Sequence, residues 1–233
     1  MSRLAIITGA SAGIGAATAQ QLLADGWRVI NLSRRPCPVD GVESLATDLA
    51  QPPMPELVES LRAACAASER VALVHNAGLL ASDDARGITA DQLHAALQVN
   101  VVAPATLNAA LIDALPAGSA IIFIGSTLGD KAVGGALSYA TSKHAVHGLM
   151  RATCQDLAGT GVHTAVVAPG FTDTEMLRDH VGGDADILDA IASGVTFGRL
   201  IEPHEIAATI AFCIDNAVIN GAVIHANLGQ IER

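Results

Sequence analysis

Short, almost continuous apolar runs alternate along the whole chain with longer Ala-rich stretches whose polar residues fall at helical spacing. The apolar runs at Leu4–Thr8, Arg28–Leu32, Val42–Ala46, Arg70–His75, Ser119–Ile124, Val162–Ala168 and Ala222–Ala226 predict strands. Because they are apolar at successive rather than alternate positions, they suit a parallel sheet covered on both faces. The stretches between them predict helices near Ile14–Asp25, Pro55–Ala67, Ala90–Leu115, Ser138–Gly159 and Pro203–Asp215. Pro55 and Pro203 fall at helix openings, where a missing N–H costs little. This alternation is that of βαβ units, so an α/β fold with one doubly wound parallel sheet is expected over residues 1–233.

Length and composition narrow the picture. A chain of 233 residues suits a single α/β unit. Only 15% of residues are charged and 51% are apolar, yet runs such as Ala120–Ile124 are far shorter than the roughly 18 residues that a membrane helix requires. The net charge of −10 would repel a phosphate backbone and argues against nucleic-acid binding. Met1-Ser2-Arg3 leads straight into the strand-like Leu4-Ala5-Ile6-Ile7 without a signal-peptide pattern, so a cytoplasmic location with no membrane partner is expected. Cys37, Cys65, Cys154 and Cys213 are widely spaced and read as reduced, structural thiols.

The first predicted strand runs into Thr8-Gly9-Ala10-Ser11-Ala12-Gly13-Ile14-Gly15 and then a helix. In that context glycines permit a tight turn and close backbone approach to a pyrophosphate, which the helix N-terminus attracts. The spacing resembles the T-G-x-x-x-G-x-G pattern of the short-chain dehydrogenase/reductase family. The resemblance continues through Asn76-Ala77-Gly78, Asn100, Ser126, Tyr139-Ala140-Thr141-Ser142-Lys143 and Pro169-Gly170. It implies a Rossmann-type sheet of about seven strands, a nicotinamide cofactor, and contacts to it from Asp48, Leu49, Asn76, Ala77, Gly78, Pro169, Gly170, Phe171 and Thr174. His75 stands where many members carry asparagine. At the end of the second strand no acid is present to hold an NAD ribose; Ser33 and Arg34 are there instead, and Arg34 offers a 2′-phosphate a bidentate fork. NADP(H) is therefore expected over NAD(H), with Ser11 as a further contact.

Tyr139 and Lys143 are four residues apart and share one helix face. A nearby ammonium favours a phenolate, so Lys143 is expected to draw Tyr139 toward neutral pH as a proton donor and acceptor. Ser126, just beyond an apolar strand, precedes Tyr139 by thirteen residues, which matches the family's spacing. By the resemblance, Ser126 bonds the substrate oxygen, Tyr139 protonates it during reduction, and Lys143 also holds the nicotinamide ribose. Pro104, four residues after Asn100, cannot donate to the Asn100 carbonyl. A kink is expected there, freeing an acceptor that the resemblance places on a water relay to the lysine.

Phe171–Leu200, with its glycines and short helical pieces, is expected to form a substrate lid within the domain. Met176, Leu177, His180, Leu128 and Leu137 suggest a largely apolar pocket for a small carbonyl or alcohol. His144 and His147 lack convergent partners, so no metal is expected. Members of the family commonly form homodimers or homotetramers. A regulator or scaffold that senses NAD(P) on the same fold without chemistry is the alternative, and the intact Ser126, Tyr139 and Lys143 weigh against it.

Overall fold

The computed structural model describes residues 2–231. Seven strands, β1 (Arg3–Thr8), β2 (Arg28–Ser33), β3 (Glu43–Ala46), β4 (Arg70–His75), β5 (Ala120–Ile124), β6 (His163–Pro169) and β7 (Ala222–Ala226), form one sheet in the order β3-β2-β1-β4-β5-β6-β7. Every pairing is parallel, with Ile6 opposite Ile30 on one side and Leu73 on the other. The expected strands are all present, with ends that shift by a residue.

Successive side chains of a strand point to opposite faces, so each continuous apolar run feeds two cores. Ala5, Ile7, Val74 and Ile122 pack with Ala19 and Leu22 of α1 (Gly13–Ala24) and with Ile206 and Ile210 of α8 (Pro203–Asp215). Leu4, Ile6, Leu73, Ile121 and Phe123 face the other way. They meet Leu61 of α2 (Pro55–Ala66), Leu107 of α4 (Ala103–Leu111), and Val146 and Met150 of α5 (Leu137–Asp156). Each such fully buried Leu or Ile contributes about 1.5–3 kcal/mol.

The helix expected over Ala90–Leu115 is a composite. Thr89 and Gln92 form a capping box at the start of α3 (Ala90–Leu97). A π-turn follows over Gln98–Val102, where the Ala103 N–H donates to the Gln98 carbonyl five residues back. Pro104 then sits in the first turn of α4, directly after this widened turn. The whole run, Ala90–Ala114, is long and apolar enough to cross a membrane by length and composition, which the short strand runs did not foreshadow. Here its Ala96, Leu107 and Leu111 are buried in the domain.

Strand order reverses at β1, whose neighbours β2 and β4 lie on opposite sides. The crevice beyond the carboxyl ends of β1 and β4 is where a doubly wound sheet binds its ligand. Between β6 and α8 the chain carries α6 (Glu175–His180) and α7 (Ala185–Ser193), neither of which buries a residue.

Candidate active site

The turn after β1 is built by close approach. Gly9, at φ +73°, lies so near the chain after β4 that a Cβ would stand 2.9 Å from Ala77 Cα. At Gly15 a Cβ would stand 2.4 Å from both Asn76 Nδ2 and the Gly9 carbonyl oxygen. Polar bonds close the same contact. The Thr8 hydroxyl oxygen accepts from the N–H groups of Asn76 and Ala77, both at 3.0 Å. Asn76 Nδ2 donates to the Thr8 and Gly9 carbonyls, also at 3.0 Å.

Helix α1 opens on Ala12 with no side-chain cap and no acid in its first turn. The N–H groups of Gly13, Ile14 and Gly15 at that end lack intrahelical partners and fit a dinucleotide pyrophosphate. Ile14 packs on the core, Ser11 is partly buried, and Thr174 presses on the turn, its Cγ2 being 3.1 Å from where a Gly13 Cβ would lie. Gly170 is packed against Asn227 at the end of β7, and the Phe171 carbonyl accepts from the Ile201 N–H. Pro169 ends β6.

At the end of β2, where Ser33 and Arg34 are expected to meet a 2′-phosphate, polar groups are bonded to one another. The Ser33 hydroxyl lies 2.7 Å from the Arg35 carbonyl and 2.9 Å from Asn31 Oδ1, both acceptors, so its one proton is already engaged. Arg34 is exposed and makes no ion pair among the described residues, whereas Arg35 pairs with Glu175 at 3.3 Å. Asn31, fully buried, organises this corner: its Oδ1 accepts from the Ala10 N–H and its Nδ2 donates to the Arg35 carbonyl and the Ser44 hydroxyl. Its lone polar position inside an apolar run was the only available signal. Asp48 is exposed and caps its own turn through the Ala50 N–H, and the Leu49 carbonyl accepts from Gln98 Nε2. His75 is buried against Phe123, and its Nε2 meets Asn108 Oδ1 at 2.7 Å. Burial pushes this imidazole down to about 4, so it is neutral.

Ser126, Tyr139 and Lys143 converge at the carboxyl end of β5. The Ser126 hydroxyl caps its own turn, accepting from the Leu128 N–H at 3.1 Å, and stands near enough to the Tyr139 phenol to favour its ionised form. Lys143 is buried; its Nζ donates to the Ile124 carbonyl at 2.7 Å and lies 5.4 Å from the centre of the Tyr139 ring. Burial pushes Tyr139 up to about 12, against the opposing effect of Ser126, and pushes Lys143 down to about 8. The expected lowering of Tyr139 by the lysine is therefore not present. The ammonium is spent on a carbonyl and sits over the ring face, and desolvation outweighs it.

Asn100 is buried on the π-turn and works through its side chain. Its Oδ1 accepts from the Leu79 N–H at 2.7 Å, and its Nδ2 donates to the Leu79 carbonyl and to the Ser142 hydroxyl, which donates in turn to the Tyr139 carbonyl. This chain of bonds ties the turn after Gly78 to the helix of Tyr139 and Lys143. Asp83 adds a second tie that the sequence did not suggest: its carboxylate accepts from the N–H and hydroxyl of Ser138 in the first turn of α5. Met176 reaches toward Gly78, and His180 toward Ser82, so the start of the 171–200 segment borders the same crevice. His144 is exposed and bonded to the Ala140 carbonyl while His147 is buried, so the two do not converge; no metal-binding group is found among the described residues.

Doubly wound sheets hold dinucleotides at this crevice, and comparison with known families narrows that class. The short chain dehydrogenase family model matches residues 3–183, and the chain belongs to that family of oxidoreductases. It is 32% identical to Protein FixR of Bradyrhizobium diazoefficiens, over 98% of this chain and 86% of that one. It is 30% identical to the 3-oxoacyl-(acyl-carrier-protein) reductase FabG of Escherichia coli, over 98% and 97%. Among solved structures, a 3-oxoacyl (acyl-carrier-protein) reductase of Agrobacterium tumefaciens with NADP bound is similar at a TM-score of 0.86 and 25% identity, over 98% and 94% of the two chains.

Proposed function

We propose that this chain is an NADP(H)-preferring oxidoreductase that reduces a carbonyl, or oxidises the corresponding alcohol, of a small and largely apolar substrate. The observation that carries this reading is the convergence of Ser126, Tyr139 and Lys143 beside the Asn76–Gly78 turn. A bound nicotinamide supplies or accepts the hydride. Gly9, Ser11, Gly13, Ile14 and Gly15 hold the pyrophosphate end, Arg34 faces the 2′-phosphate, and Asp48 and Leu49 border the adenine. Asn76 to Gly78, Pro169 to Phe171 and Thr174 line the nicotinamide end.

Ser126 orients the substrate oxygen and Tyr139 gives it a proton, which a phenol held near 12 retains throughout the neutral range. Lys143 stabilises the phenolate left behind and holds the ribose. Asn100 positions the helix of Tyr139 and Lys143 through Ser142. Residues 171–200 close over the substrate, and Met176 supplies apolar surface.

The two reductases above make a 3-oxoacyl thioester the first substrate to assay. NADPH oxidation should be followed with acetoacetyl-CoA and with a panel of ketones, aldehydes and diketones. Turnover with at least one carbonyl is expected, with NADPH favoured over NADH and with that preference reduced about ten-fold in Arg34→Ala. Cofactor binding without turnover of any carbonyl would favour the silent sensor, and an NADH preference untouched by Arg34→Ala would overturn the cofactor assignment.

A further inference from the structure

Behind the Ser126 turn lies a cluster that the chemistry above does not use. The short helical turn Thr127–Gly129 leads from Ser126 to Asp130. One oxygen of the Asp130 carboxylate lies 3.3 Å from Nδ1 of His147 on α5, and the other lies 3.2 Å from Nε2 of His225 on β7. His147 is one helical turn beyond Lys143 and only 3% exposed. Its ring supports the serine turn from below: Cβ atoms at Gly129 and Gly125 would stand 2.4 and 3.2 Å from His147 Nε2. That nitrogen is buried and has no hydrogen-bond partner among the described residues. Burial, with Arg151 and His144, pushes His147 below its ordinary value, and Asp130 opposes the shift. A neutral ring facing a carboxylate carries its proton on Nδ1. The unprotonated Nε2 is then the atom turned toward the glycine backbone.

We propose that Asp130, gripped between His147 and His225, is a positioning residue that fixes the Ser126 hydroxyl relative to Tyr139. One carboxylate thereby joins three elements: the serine turn, the helix carrying Tyr139 and Lys143, and the last strand. Gly125 and Gly129 are the complement of this arrangement, since any side chain at either would lift the turn off the His147 ring. Asp130 is paired with His147 and His225 and carries none of the reacting groups assigned above, so its effect passes through Ser126.

This inference rests on the role given to Ser126, and a double-mutant cycle separates the two. Rates with NADPH and acetoacetyl-CoA, and NADPH affinity by fluorescence titration, are measured for Asp130→Ala and Asp130→Asn. Both changes are made with Ser126 intact and in a Ser126→Ala background. Asp130→Ala should lower kcat about ten-fold when Ser126 is present, as expected for a misplaced catalytic group, with NADPH affinity unchanged. Asp130→Asn, whose amide oxygen accepts from His147 Nδ1–H and whose NH2 donates to His225 Nε2 in the tautomer protonated on Nδ1, should restore most of the rate. In the Ser126→Ala background Asp130→Ala should have almost no further effect. Equal slowing in both backgrounds, or no slowing with Ser126 intact, would overturn the proposal. A normal rate for Ser126→Ala alone would instead remove the role of Ser126, and this inference with it. Should Asp130→Ala fail to fold, His225→Ala removes one of the two grips from a partly exposed position and must show the same dependence on Ser126.

Discussion

The glycine turn and the 171–200 segment meet where Thr174 presses on Gly13, yet they are built in opposite ways. The turn is closed on all sides. Thr8, Asn31 and Asn76 spend their polar atoms on its backbone, and α1 buries Gly15, Thr18, Ala19 and Leu22 beneath it. In the segment α6 and α7 bury nothing, while Met176, Ile187 and Phe197 stand exposed. A Cβ at Gly182 or Gly183, whose φ angles are +67° and +71°, would meet no described atom within 4 Å. On the proposed reading, a pyrophosphate of one shape is met by fixed N–H groups, while a substrate that must enter and leave is walled by helices that bury no residue.

The contrast can be broken at its rigid side first. Gly15→Ala drives a methyl group into Asn76 and the Gly9 carbonyl, and a loss of about 3 kcal/mol in stability is expected. NADPH affinity should fall with it in a fluorescence titration, and an unchanged affinity would show that the turn yields. Lys143→Met probes the cost of that rigidity. Holding the buried lysine near 8 rather than 10.5 costs about 3 kcal/mol when it is charged. The sign is a destabilisation, complete below pH 8, shrinking as pH rises toward 10.5, and absent above it. After loss of the bond to Ile124, worth about 1 kcal/mol, Lys143→Met should gain roughly 2 kcal/mol in urea unfolding at about pH 7 and lose that gain by about pH 10. A gain independent of pH would contradict this. The smallest effect belongs to the loose side: Gly183→Ala should cost about 1 kcal/mol of backbone strain and leave NADPH affinity untouched. A large loss of affinity would join the segment to the rigid half.

The same contrast decides what the sequence revealed. Continuous apolar runs are dictated by two-sided burial, so the five inner strands could be read from them, while the edge strands β3 and β7 are more exposed and β3 carries Glu43 and Ser44. The glycine turn and the spacing of Ser126, Tyr139 and Lys143 are local or nearly local, and they were legible too. Asn31, Asp83, Asp130 and His147 were not recognisable as parts of the site because each is a single polar residue whose partner lies far along the chain. No periodicity marks such pairs. Pro104 signalled a disturbance after Asn100 but not its form, since a π-turn and a kink relieve the same missing N–H. The lowering expected for Tyr139 failed because spacing gives the distance between two side chains and says nothing of burial, which governs both groups here.

Tyr139→Phe tests the central claim most directly. The ring and its packing remain while the proton is lost. NADPH should bind with wild-type affinity in a fluorescence titration, and carbonyl reduction should fall by about 1,000-fold. Reduction by Tyr139→Phe at the wild-type rate would contradict the account.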